Sequence, residues 1–176
     1  MITLNEAWKN AATEAITIFA AKNADYGDSY KSAGLPGLLV RLLDKFNRAH
    51  SLLALGRAQV AAEALHDTLI DAANYSIMAL AMHEHLQGRL STPLYSGALD
   101  LVFAEYNAHA DLQNLRLSEA AFGLALYLRD LLQAQVELHH GTTLYVKTHR
   151  LREDLIESAV LCLLLAGTSC PGSPPC

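Results

Sequence analysis

Apolar residues recur along this chain at intervals of three and four, a spacing that predicts helices rather than strands. Leu4, Trp8, Ala12, Ala15 and Phe19 mark a first helix reaching about Lys22, opened by a capping box from Thr3 to Glu6. A polar turn from Asn23 to Tyr30 follows, prolonged by Gly34, Pro36 and Gly37. A second helix is expected over about 37–55, with Leu39, Leu42, Leu43, Phe46 and Leu53 on its apolar face. Arg41, Asp44, Lys45 and Arg48 fall on the other side. Gly56 breaks the pattern, and a third helix runs over about 57–86 until Gly88 stops it. Thr92 and Pro93 form a good helix start, as N-cap and first helical residue, for a fourth helix over about 93–111. Ser118 caps a fifth reaching about His139, and a sixth covers about 148–166.

The expected fold is therefore an all-α bundle of about six helices. Residues 1–90 form one helical unit and 91–166 a second that packs on it in a single compact domain; the Pro- and Gly-rich tail, 167–176, is expected to be mobile. Leu151 to Ala159, with Glu153 and Glu157, faintly echoes Leu65 to Ala73, with Asp67 and Asp71. A degenerate pair of three-helix halves would explain the echo, and so would the chance likeness of Leu/Ala-rich helices.

Composition sharpens this in a few respects. Hydrophobic residues make up 52% of the 176, interrupted by only five prolines and ten glycines, which suits a helical core. A formal net charge of -5 argues against a partner such as polymeric nucleic acid, which needs surplus Lys and Arg. It leaves room for a nucleotide, which needs only a local positive cluster. The N-terminus lacks a signal-peptide pattern and the longest apolar run is too short to span a bilayer, so a soluble, cytoplasmic chain without membrane attachment is expected. Cys162, in an apolar run, reads as a buried free thiol. The eight histidines form no zinc-type spacing.

The candidate chemistry lies in the third helix. Glu63, Asp67, Asp71 and Asn74 follow at steps of four, four and three, which puts them on one helical face. Like charges at that spacing repel, and burying an unpaired carboxylate costs more still. A bridging divalent cation would remove both penalties, and Mg²⁺ or Mn²⁺ prefers such oxygen donors. Helices two and three should pack antiparallel about Gly56. At about 1.5 Å per residue, Asp44 then comes level with Asp67 and Asp71. The rival reading is a salt bridge from these acids to Arg41 or Arg48.

Three sequence pieces carry a resemblance: Lys22-x-x-Asp25-Tyr26-Gly27; Arg41-x-x-Asp44-Lys45 with Arg48; and Asp67-x-x-x-Asp71-x-x-Asn74-Tyr75. Together they resemble the phage and bacterial nucleotide-modification-associated branch of the all-α, MazG-like NTP pyrophosphatases, which includes MazZ-type enzymes. The likeness covers about residues 20–80. It implies hydrolysis of a nucleoside triphosphate, with a purine dNTP (dGTP or dATP) favoured, to the monophosphate and pyrophosphate. The role would be to shape the nucleotide pool of a modified-base pathway, in host cytoplasm if the chain is phage-encoded. On this likeness Asp44, Asp67, Asp71 and Asn74 would hold Mg²⁺ or Mn²⁺, and Glu63, Asp67 and Asp71 would serve catalysis. Lys22, Asp25, Tyr26, Arg41, Lys45 and Arg48 would meet the substrate, with Tyr30 flanking the base. The chain departs from the superfamily's Glu-Glu-x-x-Glu run: its second helix offers Asp44 alone. Tyr75, Trp8 and Phe46 read as core rather than as contacts. Exposed apolar faces point to a homodimer or homotetramer. Two other readings stand beside this one: a non-catalytic nucleotide-binding module, and a purely structural oligomerising bundle.

Overall fold

The computed structural model describes residues 4–55, 65–108 and 148–168. They form helices with no strand among them: α1 (Leu4–Tyr26), α2 (Ser29–Leu55), α3 (Leu65–Leu86), α4 (Tyr95–Ala108) and α5 (Thr148–Thr168). The expected fifth helix, over 118–139, lies outside the described residues, as do Glu63 and the break at Gly56. The all-α expectation holds, with five described helices where about six were expected.

α3 is the axis of the bundle. It packs on α1, α2, α4 and α5, while α5 also packs on α1 and α4. The sequence of α3 explains its place. Leu69, Ile70, Ala72, Ala73, Ile77, Ala79, Leu80 and Ala81 are buried on nearly every side, and a helix apolar all round belongs in the interior. Small residues let neighbouring helices approach. The same logic holds at the α1–α5 crossing, where a Cβ on Gly167 would collide with the backbone carbonyl of Ala7. α5 continues to Thr168, two residues beyond the expected end.

Trp8 anchors α1. It is fully buried, donates from Nε1 to the Val160 carbonyl of α5 at 3.2 Å, and stacks on Tyr106 of α4 at 3.9 Å. Trp8 and Phe46 are core residues, as expected. So is Cys162, whose thiol burial pushes up to about 12. At the far end of α3, Gly88 takes a positive φ and Arg89 folds back. The Arg89 guanidinium donates to both oxygens of the buried Glu84, at 2.8 and 2.6 Å, and Arg152 of α5 lies 3.4 Å from the same carboxylate. A buried charge survives because it is paired.

The turn after α1 is much tighter than the expected loop. α1 continues to Tyr26, and only Gly27 and Asp28 separate it from α2. Both adopt positive φ, and the Asn23 side chain closes the turn through Asp28. The apparent breakers Gly34 and Pro36 lie inside α2. Gly34 takes a non-helical conformation (φ 64°, ψ 175°), which restarts the helix. Pro36 then falls in a first turn, where its missing N–H costs nothing. α4 starts at Tyr95, two residues later than expected, because Thr92 to Leu94 form a turn and the Pro93 carbonyl accepts from Tyr30 at 2.6 Å.

Candidate functional site

The two-residue turn brings the end of α1 over the start of α2, and α3 passes beneath. Between them lies a cavity of about 390 Å³, within the range of small-molecule pockets. Its apolar wall is Phe19, Leu38, Tyr75 and Met78, with Tyr26 and Tyr30 at the α1–α2 turn. Its polar lining includes Lys22, Asn23, Arg41, Asp71 and Asn74.

The floor is fixed by a buried network. Phe19 stacks on Tyr95 at 3.7 Å and meets Tyr30 edge-on. The Tyr95 hydroxyl, pushed up by burial, donates to Asn74 Oδ1 at 2.6 Å. Asn74 Nδ2 in turn donates to the Ala15 carbonyl of α1 at 3.1 Å. A carbonyl only accepts, so the amide nitrogen must face Ala15, which leaves the amide oxygen for Tyr95. Asn74, expected as a cation ligand, thus has both ends of its amide engaged in joining α1, α3 and α4. Tyr75, expected in the core, is partly exposed and lines the cavity.

Charge concentrates at one wall. Asp71 Oδ1 accepts from Lys22 Nζ and Oδ2 from Lys45 Nζ, each at 2.8 Å. Three helices meet in this clasp: Lys22 on α1, Lys45 on α2, Asp71 on α3. The Asp71 side chain is 25% exposed and that of Lys22 58%. Burial pushes the Asp71 carboxyl up, but the two ammonium groups outweigh it and hold it below the ordinary carboxylate range. The hydrogen bond to Asp71 raises Lys22 above the ordinary lysine value.

The expected carboxylate cage is not assembled among the described residues. Asp44 and Asp67 are exposed, and neither lines the cavity. The buried face of α2 (Leu35, Leu38, Leu39, Leu42, Phe46 and Ala49) places Asp44 about 170° away at 100° per residue, whereas Lys45 stands about 70° from its centre. The neighbour of Asp44, not Asp44 itself, therefore meets Asp71. The salt-bridge reading is met as well, though by lysines instead of Arg41 or Arg48. No three His, Cys, Asp or Glu side chains converge among the described residues. As they stand, these residues do not fit a divalent ion: the one carboxylate at the cavity already holds two cations.

Of the expected substrate contacts, Lys22, Tyr26 and Arg41 line the cavity, and Lys45 joins it through Asp71. Asp25 and Arg48 are not among its lining residues. Glu153 and Glu157 face solvent on α5. The sequence reading missed Tyr95, Phe19 and Asn23. The signal for Tyr95 was present only as an aromatic at a helix start; nothing local ties it to Asn74.

Residues 22–82 match the protein family described as "Nucleotide modification associated domain 1". The match begins at Lys22 and takes in Arg41, Lys45 and Asp71, so all four charged groups of this wall lie inside it. It spans just over a third of the chain and agrees with the nucleotide-modification branch of the expected resemblance. No curated protein and no solved structure matches the chain. No helix among the described residues is long and apolar enough to cross a membrane.

Proposed function

We propose that this cavity takes a nucleoside triphosphate, a purine dNTP by preference, and hydrolyses it to the monophosphate and pyrophosphate for a pathway of nucleotide modification. The observation that carries the reading is the pairing of aromatic side chains with cationic ones, Tyr26, Tyr30 and Tyr75 with Lys22 and Arg41, all inside the stretch matching the nucleotide-modification family. Tyr26, 70% exposed at the cavity mouth, offers a face for a base. Lys22, Arg41 and Lys45 offer charge to phosphates, the arginine as a planar fork.

The reaction asks for few groups. The oxygen of a water bonds to the α-phosphorus, the bond from that phosphorus to the α–β bridging oxygen breaks, and pyrophosphate leaves with the electron pair. Lysine and arginine at the leaving end neutralise the charge that builds there. Asp71 orients the water by accepting its hydrogen bond, and the released proton passes to solvent. With its carboxyl held below the ordinary range, Asp71 is better suited to aiming the water than to keeping its proton.

The test is to incubate the chain with each of the four dNTPs and Mn²⁺ and to resolve monophosphate, diphosphate, pyrophosphate and orthophosphate. Monophosphate and pyrophosphate in equal amounts are expected. In Asp71→Asn turnover should drop by at least about a hundredfold with the helical circular-dichroism spectrum intact. Diphosphate with orthophosphate would show the wrong bond, and nucleotide binding without turnover would favour the non-catalytic module.

A further inference from the structure

The polar wall of the cavity carries more positive charge than its carboxylate cancels. Asp71 is the one carboxylate on the lining among the described residues, and it is paired twice, with Lys22 and with Lys45. Lys45 stands behind the wall, off the lining, and its single charge is enough to neutralise Asp71. Lys22 and Arg41 therefore face the cavity as two uncancelled charges. An ammonium group has three N–H donors, so Lys22 keeps two after its bond to Asp71, and its side chain is 58% exposed at the rim. Arg41 adds a planar fork of donors, and no carboxylate among the described residues pairs with it. A donor set of this kind repels a bare cation and suits one doubly charged anion. A phosphate monoester, with about two negative charges at neutral pH, is such an anion.

We infer that the cavity is a nucleoside monophosphate site that needs no divalent cation: Lys22 and Arg41 meet the phosphate, and the base lies against the tyrosines. This rests on reading the cavity as a nucleotide site, but not on the hydrolysis. The aromatic side chains of Tyr26, Tyr30 and Tyr75 line the same cavity of about 390 Å³, so a phosphate without a base leaves that part of the site empty. The β- and γ-phosphates of a triphosphate bring further negative charge, and among the described residues the lining holds no third uncancelled cation to meet it. Loss of pyrophosphate therefore takes nothing from the charge match. Lys22 and Arg41 turn from the leaving group to the phosphate that stays, and the chain holds its own product until a reaction that acts on a nucleoside monophosphate removes it.

The test is titration calorimetry of the full chain with dGMP, deoxyguanosine and deoxyribose 5-phosphate in EDTA, and with dGMP in Mn²⁺. In EDTA dGMP should bind about tenfold or more tighter than either fragment, since each lacks one half of the recognition. Replacing EDTA by Mn²⁺ should change the dGMP Kd by less than about twofold. Asp71→Asn and Lys45→Met break the same ion pair, so damage to the packing would weaken dGMP in both. The charge match instead moves them in opposite directions. Asp71→Asn removes the cancelling carboxylate and should tighten dGMP about threefold or more, whereas Lys45→Met leaves Asp71 to cancel Lys22 and should weaken it about threefold or more. Dependence of dGMP binding on Mn²⁺, a fragment that binds as tightly as dGMP, or a shift of both variants in one direction would each overturn the inference. Binding of dGMP in EDTA by a chain that releases no pyrophosphate from any dNTP supports the monophosphate site and removes the hydrolase; turnover by a chain that fails to bind dGMP in EDTA does the reverse.

Discussion

Asn74 offers the sharpest separation between a scaffold role and a ligand role. Truncation to Ala removes the bond to the Ala15 carbonyl and the one from Tyr95, and it leaves the Tyr95 hydroxyl buried. The Ala15 carbonyl keeps its helical partner and loses little. Two lost hydrogen bonds count for about 1 kcal/mol each, and the stranded hydroxyl adds about 1–2 kcal/mol. A loss of about 3 kcal/mol results, or roughly 6–12 °C in Tm for a chain of this size. Tyr95→Phe alone removes the hydroxyl and leaves the Asn74 oxygen without its donor, for about 1–2 kcal/mol. The double variant strands neither group across that bond, so its cost should fall short of the sum by about 1 kcal/mol or more. Thermal or urea unfolding of the four proteins, without nucleotide or metal, completes the cycle. Strict additivity, or a melt for Asn74→Ala within about 1 °C of wild type, would refute the network and return Asn74 to the role of a free ligand.

Two further outcomes follow from contacts elsewhere in the bundle. His66 lies between Glu14 at 2.9 Å and the Ala166 carbonyl at 3.0 Å, so both ring nitrogens face acceptors. Burial pulls its pKa down, but those partners outweigh burial and raise it above the ordinary value. The stability this contributes is complete below about pH 6.5, the unfolded value, and is lost as pH rises through the higher folded one. The Tm gap between wild type and His66→Gln should therefore be wide at acid pH and shrink toward alkaline pH; a gap that widens instead would refute a charged His66. Gly167→Ala should cost about 1–3 kcal/mol by forcing α1 and α5 apart. An unchanged denaturant midpoint would mean that the crossing yields freely.

Spacing alone determined that the chain is helical, that α3 ends before Gly88, and that Trp8, Phe46 and Cys162 are core. Each follows from the helical repeat or from a residue type that tolerates only one setting. Lys45 in place of Asp44 was also legible: the apolar face of α2, drawn through Leu38, Leu42 and Phe46, puts Asp44 opposite α3. What the chain could not disclose by itself are the partners. Asp71 at steps of four from Asp67 reads as a cation ligand until lysines from α1 and α2 are seen on both its oxygens. Asn74 reads as a ligand until Tyr95 and Ala15, far along the chain, claim its amide. Periodicity fixes which way a side chain faces, since that is set within a single turn. Whom it meets is set by the packing of helices distant in sequence, so only the tertiary structure shows that lysines of α1 and α2 share the Asp71 carboxylate.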